Sequence, residues 1–451
     1  MARKVTIVGA GLAGCEAAWQ VASRGIPVRL IDMKPHQMTQ AHHSSQFAEL
    51  VCSNSLRASR LENAVGLLKE EMRRLGSLIL AAADQTALPA GGALAVDRDL
   101  FAAAVTRSIE QHPLIEVVSE RIDTLPDPAD GPVIIATGPL TEGGLFDAIR
   151  DRLGLSTLHF FDAAAPIVTF ESIDLSIAFR QSRYGRGGDD YINCPMDRDT
   201  YETFYRELIA AELAEVKDFD REIVFEGCMP IESMARRGPD TIRFGPLNMV
   251  GLCATRIGRE GYACVQMRRD NQAACLYNLI GFQTRLRQGE QQRVFRLIPG
   301  LGQAEFVRYG VMHRNTFLPS PEILNPDYRV RRPQALYFAG QMTGVEGYVE
   351  SASSGLVAGI QAALEFFGME EDDRRSYLPG PGTVIGSLAH YIAKANARHF
   401  QPMNANFGLV APLEGKFKGK PARQQALVNR ALSEIDQLAE RLNLAPGTLE
   451  R

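Results

Sequence analysis

Residues 4–8, KVTIV, form an apolar, β-branched run that breaks at Gly9-Ala10-Gly11-Leu12-Ala13-Gly14, continues into the helix-forming segment CEAAWQVASRG and returns to a second apolar run, VRLID. This order predicts strand, glycine turn, helix and strand within the first 32 residues. Two later apolar runs end in small residues in the same way. One is VIIATGP at 133–139; the other, ALYFAG at 335–340, leads through QMTGVEGY into ESASSGLVAGIQAALEF, a helix rich in small residues. Apolar residues at helical spacing over 423–442 (RQQALVNRALSEIDQLAERL) predict an amphipathic packing helix, PGPGTVIG at 379–386 a loop, and QAACLYNLIGF around Cys275 a helix-like structural segment.

In a turn of the first kind Gly9 permits the tight bend, Gly11 lets backbone N–H groups approach a pyrophosphate, and Gly14 lets the helix lie close to the sheet. Asp32 ends the second strand 18 residues after Gly14, where a carboxylate binds ribose hydroxyls. With every part in register, Gly9, Ala10, Gly11, Leu12, Ala13, Gly14 and Asp32 mark a dinucleotide site. Segments 133–139 and 335–355, with Gly138, Gly340 and Gly347, extend that site over most of the chain, which fits extended FAD better than NAD. The amino terminus of the second helix suits a flavin carbonyl or a phosphate. No second GxGxxG houses a nicotinamide, so NADPH or NADH is expected to reach the flavin by brief docking. Roughly 195 residues separate Gly138 from Ala335, enough for an inserted domain. The expected fold is α/β: a discontinuous Rossmann-like, glutathione-reductase-like FAD-binding domain over residues 1–150 and 330–451, with an α/β or α+β domain inserted at 151–329.

The 451 residues carry 49 Lys plus Arg and 53 Asp plus Glu, a net charge of −4, and 45% are hydrophobic, a globular composition. No stretch approaches the ~18 apolar residues that span a bilayer, and no cleavable signal precedes the glycine turn, so the expected location is the cytoplasm. The charge is uneven. From Cys228 to Arg332 there are 16 Arg, no Lys and 8 acids, a local +8 that leaves −12 for the remainder. Such asymmetry points either to a polyanionic partner, for which arginine suits bidentate phosphate contact, or to a solvated Arg-rich face or an internal ion-pair network. Lys416, Lys418, Lys420 and Arg423 in GKFKGKPAR form a second basic region.

Seven cysteines, at 15, 52, 194, 228, 253, 264 and 275, make no C-x-x-C pair and no zinc-type spacing with histidine, so neither disulfides nor a metal site is expected. Cys15, on the first turn of the pyrophosphate helix, reads as core, and Cys253, Cys264 and Cys275 read as structural. Cys52 lies in FAELVCSNSLR, where an apolar run gives way to residues that cap helices and form turns, and a thiol at a helix amino terminus is activated. Cys228, in VFEGCMPIESMARRGPDT, ends a strand-like run near Arg236 and Arg237, an electropositive setting. Cys194 has a similar turn context but acidic neighbours.

Taken together, GAGLAGCEAAWQVASRG, HHSSQFAELVCSNSLR, FEGCMPIESMARRGPDTIRFGPL, FAGQMTGVEGYVESASSG and FQPMNANFGL resemble, in order and over nearly the whole chain, the folate- and FAD-dependent tRNA uridine-5-methyltransferases, the small branch of the GidA-like flavoproteins. The large branch carries an additional carboxyl-terminal helical domain, and from the chain's length the resemblance is expected to be to the small branch. The resemblance implies methylation of C5 of uridine 54 in the tRNA T-loop, with 5,10-methylenetetrahydrofolate as carbon donor and reduced FAD as electron source. It implies Cys228 as the nucleophile that adds to uracil C6, and Cys52 as acceptor of the C5 proton. A stacked uridine must be splayed out for this, so Arg236, Arg237, Arg268 and Arg269 are expected on tRNA phosphates, with Lys416 and Lys418 as further RNA candidates. His313, Arg314, Glu346 and Tyr348 are candidates for folate. Three alternatives stay open: the same chemistry on a uridine of large-subunit ribosomal RNA, a plain FAD oxidoreductase, and a non-catalytic flavin and RNA binding protein.

Overall fold

The computed structural model describes residues 3–39, 41–154, 158–163, 165–214, 229–253, 261–271, 273–310, 312–331, 335–397, 400–415 and 417–443; for 158–163, 312–316 and 420 only the backbone is described. Cys228 and Lys416 therefore lie outside the described residues.

The apolar runs read from the sequence assemble into one parallel sheet. Val5–Val8 sits at its centre, with Val28–Asp32 and then Ile115–Ser119 on one side, and Val133–Ile135 and then Leu336–Phe338 on the other. The last two strands are distant in sequence yet pair in register, Leu336 with Val133 and Phe338 with Ile135. The central strands are buried on both faces, which is why they are continuously apolar rather than alternating. One face is covered by the helix Leu12–Ala22, which in turn packs on the helix Tyr348–Phe366. Small residues set that approach: a Cβ at Gly355 would lie 2.1 Å from the Ala13 carbonyl oxygen, and one at Gly359 would lie 2.8 Å from that of Ala17. The core of this half gathers side chains from Val5 to Leu153 and from Phe317 to Leu442.

A second core runs from Val168 to Ala304 under a six-stranded sheet in the order Phe179–Arg180, Tyr191–Met196, Ala263–Arg269, Leu276–Leu279, Ile167–Thr169, Phe306–Arg308. Every pairing in it is antiparallel, and helices Arg198–Ala210 and Gln288–Phe295 accompany it, so this half is α+β. The helix-like reading around Cys275 is corrected here. Asn271 Oδ1 accepts the N–H groups of Cys275 and Leu276, closing a turn, and Leu276–Leu279 leaves it as a strand with Tyr277 and Leu279 buried. The two halves are joined by an antiparallel strand pair, Leu158–Ala163 with Met312–Phe317.

The amphipathic carboxyl-terminal helix spans Gly419–Asn443 and buries Leu427, Val428, Ala431, Ile435, Leu438 and Leu442 in the first core. Among the described residues no helix is long and apolar enough to cross a membrane.

Candidate functional site

The glycine turn closes as its sequence requires. Gly9 has φ +99°, and a Cβ on it would lie 2.5 Å from the Ala136 carbonyl oxygen; a Cβ on Gly14 would lie 1.8 Å from the Gly9 oxygen. Both glycines are imposed by packing. Gly11 and Gly138 are different: an added Cβ would meet no atom within 4 Å at either. The space above these two turns is open, and the first N–H groups of the helix Leu12–Ala22 have no acceptor within the helix. Asp32 Oδ2 accepts the Ala10 N–H at 2.6 Å and Oδ1 accepts that of Lys34 at 2.9 Å, so the carboxylate braces the turn as well as lining the cleft beside it. Gly9, Met33, Thr39, Arg121, Thr137 and Thr141 line the same cleft. Gly340 lies against Ala13, and its N–H donates to Ser354 Oγ at 2.7 Å, which sets the 340–347 turn next to the first one. These turns share the carboxyl-terminal edge of the parallel strands, where such sheets take nucleotides. The residues present fit a dinucleotide.

Next to the start of the helix Tyr348–Phe366 lies Cys52. The Tyr348 hydroxyl accepts the backbone N–H of Cys52 at 2.7 Å and of Ser53 at 3.2 Å. Burial, and then the adjacent Cys52 sulfur, push the Tyr348 hydroxyl well above its ordinary range, so it stays neutral. Glu346 is buried and accepts from Gln341 Nε2 at 2.8 Å; Glu350, fully buried, is paired with Arg57 and accepts the Ala405 N–H at 2.8 Å. Lys69, which burial pushes down to about 7, donates to the Leu56 and Ala58 carbonyls at 2.7 Å each and so anchors the strand Ser55–Ala58 that follows Cys52. No helix begins at Cys52: the thiol sits in a turn before that strand, so the activation expected from a helix amino terminus does not apply.

The α+β half meets this segment directly. Arg268 Nε donates to Asn54 Oδ1 at 3.0 Å and its Nη2 to Ser53 Oγ at 2.8 Å, while Asn54 Nδ2 donates to the Arg269 carbonyl at 2.8 Å. Arg98 pairs with Asp270 at 3.1 Å and donates to the Leu50 carbonyl at 2.6 Å. Arg268 is only 7% exposed, so its expected contact with tRNA phosphate is corrected: the guanidinium is committed to the seam between the two halves. Arg236 and Arg237 are exposed after the helix Ile231–Ala235, and Arg269 is half-buried. Lys418 is exposed just ahead of the carboxyl-terminal helix. His313 and Arg314 fall on the joining strand Met312–Phe317, opposite Asp162 and Phe161; their side chains are outside the described residues. Of the other thiols, Cys15, Cys194 and Cys264 are buried, with burial pushing Cys264 up to about 12, and Cys253 and Cys275 are exposed.

Two residues escaped the sequence reading. Tyr184 and Phe244 are 61% and 64% exposed, with the Arg186 guanidinium 5.4 Å from the Tyr184 ring and that of Arg243 4.5 Å from the Phe244 ring. Exposed rings with arginines over them are the surface on which unpaired bases stack. The signal was available as the Arg-aromatic pairs Arg183-Tyr184 and Arg243-Phe244 within arginine-bearing loops.

Comparison with known proteins agrees with this architecture. The sequence profile of the family described as glucose inhibited division protein A matches residues 4–370. The chain is 58% identical over 433 residues to a protein of Acetivibrio thermocellus named "Methylenetetrahydrofolate--tRNA-(uracil-5-)-methyltransferase TrmFO", covering 96% of this chain and 98% of that one. A protein of the same name from Geobacter sulfurreducens is 56% identical over 437 residues, covering 97% and 99%. Among solved structures, GidA of Aquifex aeolicus superposes with a TM-score of 0.69 at 17% identity over 100% of this chain and 77% of that one, a likeness of fold. With open glycine turns at the sheet edge, a cysteine at the seam and relatives this similar over nearly their whole length, the chain belongs to the GidA family of flavoproteins, within its branch of methylenetetrahydrofolate-tRNA-(uracil-5-)-methyltransferases.

Proposed function

We propose that this enzyme methylates C5 of uridine 54 in the tRNA T-loop, taking the carbon from 5,10-methylenetetrahydrofolate. The observation that carries the proposal is the position of Cys52, held by Tyr348 from the dinucleotide half and through Ser53 by Arg268 from the arginine-rich half. Gly9 to Gly14 and Asp32 would hold the pyrophosphate and ribose of FAD, with Gly138, Gly340 and Gly347 around its remainder. Reduced FAD, when bound, supplies the electrons that take the transferred carbon to a methyl group, and NADPH or NADH restores them.

The chain's own groups do the rest. Uracil C5 is a poor nucleophile. Addition of the Cys228 thiolate to C6 places enolate character on C5, which then attacks the methylene carbon. Once the new bond has formed, the C5 proton leaves to Cys52, the carbon's bond to the folate nitrogen breaks with tetrahydrofolate as the leaving group, the exocyclic methylene takes up the hydride equivalent that reduced FAD would supply, and elimination of the Cys228 sulfur restores the ring. Glu346 and Tyr348, with His313 and Arg314 on the joining strand, are the residues proposed to orient folate. Tyr184 and Phe244, with Arg236, Arg237 and Arg269, offer stacking and phosphate contacts to a splayed loop.

The test is incubation of an unmodified tRNA transcript with the purified protein, labelled methylenetetrahydrofolate and NADPH, followed by nucleoside mass analysis and mapping of the modified position. Labelled 5-methyluridine at position 54, lost in Cys228→Ala and Cys52→Ala, is the expected result. Label on ribosomal RNA alone would overturn the substrate, and full activity of either cysteine variant would overturn that residue's role.

A further inference from the structure

The segment 50–54 carries no regular structure of its own, so the position of Cys52 depends on what grips it. From the dinucleotide half the Tyr348 hydroxyl accepts the Cys52 and Ser53 N–H groups, Arg98 donates to the Leu50 carbonyl, and the Val96 N–H donates to the Asn54 carbonyl. The α+β half adds a guanidinium. The strand Ala263–Arg269 ends against it, and Arg268 donates to both Ser53 and Asn54, the two residues that follow the thiol. Asn54 is wholly buried, and its amide returns two hydrogen bonds, to the Arg269 and Val96 carbonyls. Its three bonds leave the segment little freedom, because a buried amide or guanidinium moved off its partners loses the full cost of desolvation.

We propose that Arg268 is a positioning residue for Cys52: from the inserted half it fixes the 50–54 segment through Ser53 and Asn54 and sets a buried cation within electrostatic reach of the thiol. The inference rests on the role of Cys52 proposed above and goes beyond it, since it makes the proton acceptor's readiness depend on docking of the RNA-facing half. Cys52 and Arg268 do interact electrostatically, and burial, the leading influence, lowers the Arg268 pKa. Among the described residues, the other charged and titratable groups around this seam are Tyr191 and Tyr348, whose hydroxyls burial pushes up, the Arg98–Asp270 pair, Arg308 and Glu49. Arg98 and Asp270 are paired with each other, and Arg268 is the buried cation hydrogen-bonded to the two residues that follow the thiol. A cation within about 4–6 Å of a thiol moves its titration by about one pH unit or more, roughly tenfold in thiolate near neutrality.

The experiment follows alkylation of Cys52 by iodoacetamide in the FAD-loaded, full-length protein, read by peptide mass spectrometry between acid and alkaline pH, alongside kcat and the tRNA KM. In Arg268→Gln the alkylation midpoint is expected to rise by about one unit, with kcat down about tenfold and the tRNA KM within about twofold. Arg268→Lys, which keeps the charge and loses the fork, is expected to hold the midpoint near wild type while kcat falls, and it carries the test if the Gln variant does not fold. A midpoint unmoved in folded Arg268→Gln, or full kcat in Arg268→Lys, would overturn the proposal. So would a raised tRNA KM with a weaker salt dependence and unchanged kcat, which would return Arg268 to phosphate contact. Full methylation by Cys52→Ala would instead overturn the role of Cys52, and the alkylation profile would still report whether Arg268 acts on the thiol.

Discussion

In the parallel-sheet half, the surface offered to a ligand is backbone: Gly9, Gly11 and Gly14 in one turn, Gly138 in the next, Gly340 and Gly347 in the third, with helix amino termini behind them. In the α+β half the distinctive groups are arginine side chains, exposed at Arg236 and Arg237 and buried in the seam at Arg268. The two designs fail differently. A site made of backbone has no room for one more carbon where its turns are packed, as at Gly9 and Gly14, and presents its donors without charged side chains. A site made of long cations tolerates single losses and weakens with salt.

The largest effect expected from this contrast is at Gly14, whose added Cβ would lie 1.8 Å from the Gly9 oxygen. Gly14→Val should cost about 3 kcal/mol of stability and abolish bound flavin, read by visible absorbance and thermal unfolding. A variant that keeps its flavin would break the comparison at its root. Next comes Tyr348→Phe, which leaves the Cys52 and Ser53 N–H groups without their acceptor. It should cost about 1–3 kcal/mol and lower methylation while leaving flavin content unchanged, which separates the seam from the cofactor cradle. The smallest effect on the fold is expected from Arg236→Ala with Arg237→Ala: unfolding moves by less than about 0.5 kcal/mol. Yet the slope of log affinity for tRNA against log salt should flatten by about 1–2, measured by filter binding at several salt concentrations.

The difference between the halves also explains what the sequence made legible. Glycine turns are local: the strand before, the helix after and Asp32 all lie within 32 residues, and their spacing alone specified the turn that the structure contains. Even so, the hydrogen bond from the Ala10 N–H to Asp32 was not foreseen, because the carboxylate was read only as a ribose ligand. The seam is the opposite case. Arg268 and Ser53 are 215 residues apart in the chain, and nothing in either segment records that they meet. Charge counting could not tell a surface arginine from one in an internal network, and only packing distinguishes Arg268 from Arg236. The run after Cys275 misled for a local reason: Tyr277, Asn278 and Leu279 are all buried, so the strand shows no alternation, and the alanines before it mimic a helix.

The pairing of Leu336–Phe338 with Val133–Ile135 has a consequence in time. During synthesis, the strand that completes the parallel sheet emerges some 200 residues after its neighbour, on the order of 10–40 seconds later at ordinary elongation rates. Throughout that interval Val133–Ile135 has an open edge, and the helix Leu12–Ala22 lacks the helix Tyr348–Phe366 against which Ala13 and Ala17 pack. The α+β half, whose strands all lie between Ile167 and Arg308, is complete before that edge closes. The order of emergence from the ribosome thus sets the α+β half as the first to finish, and the cofactor cradle forms last, around an already built neighbour.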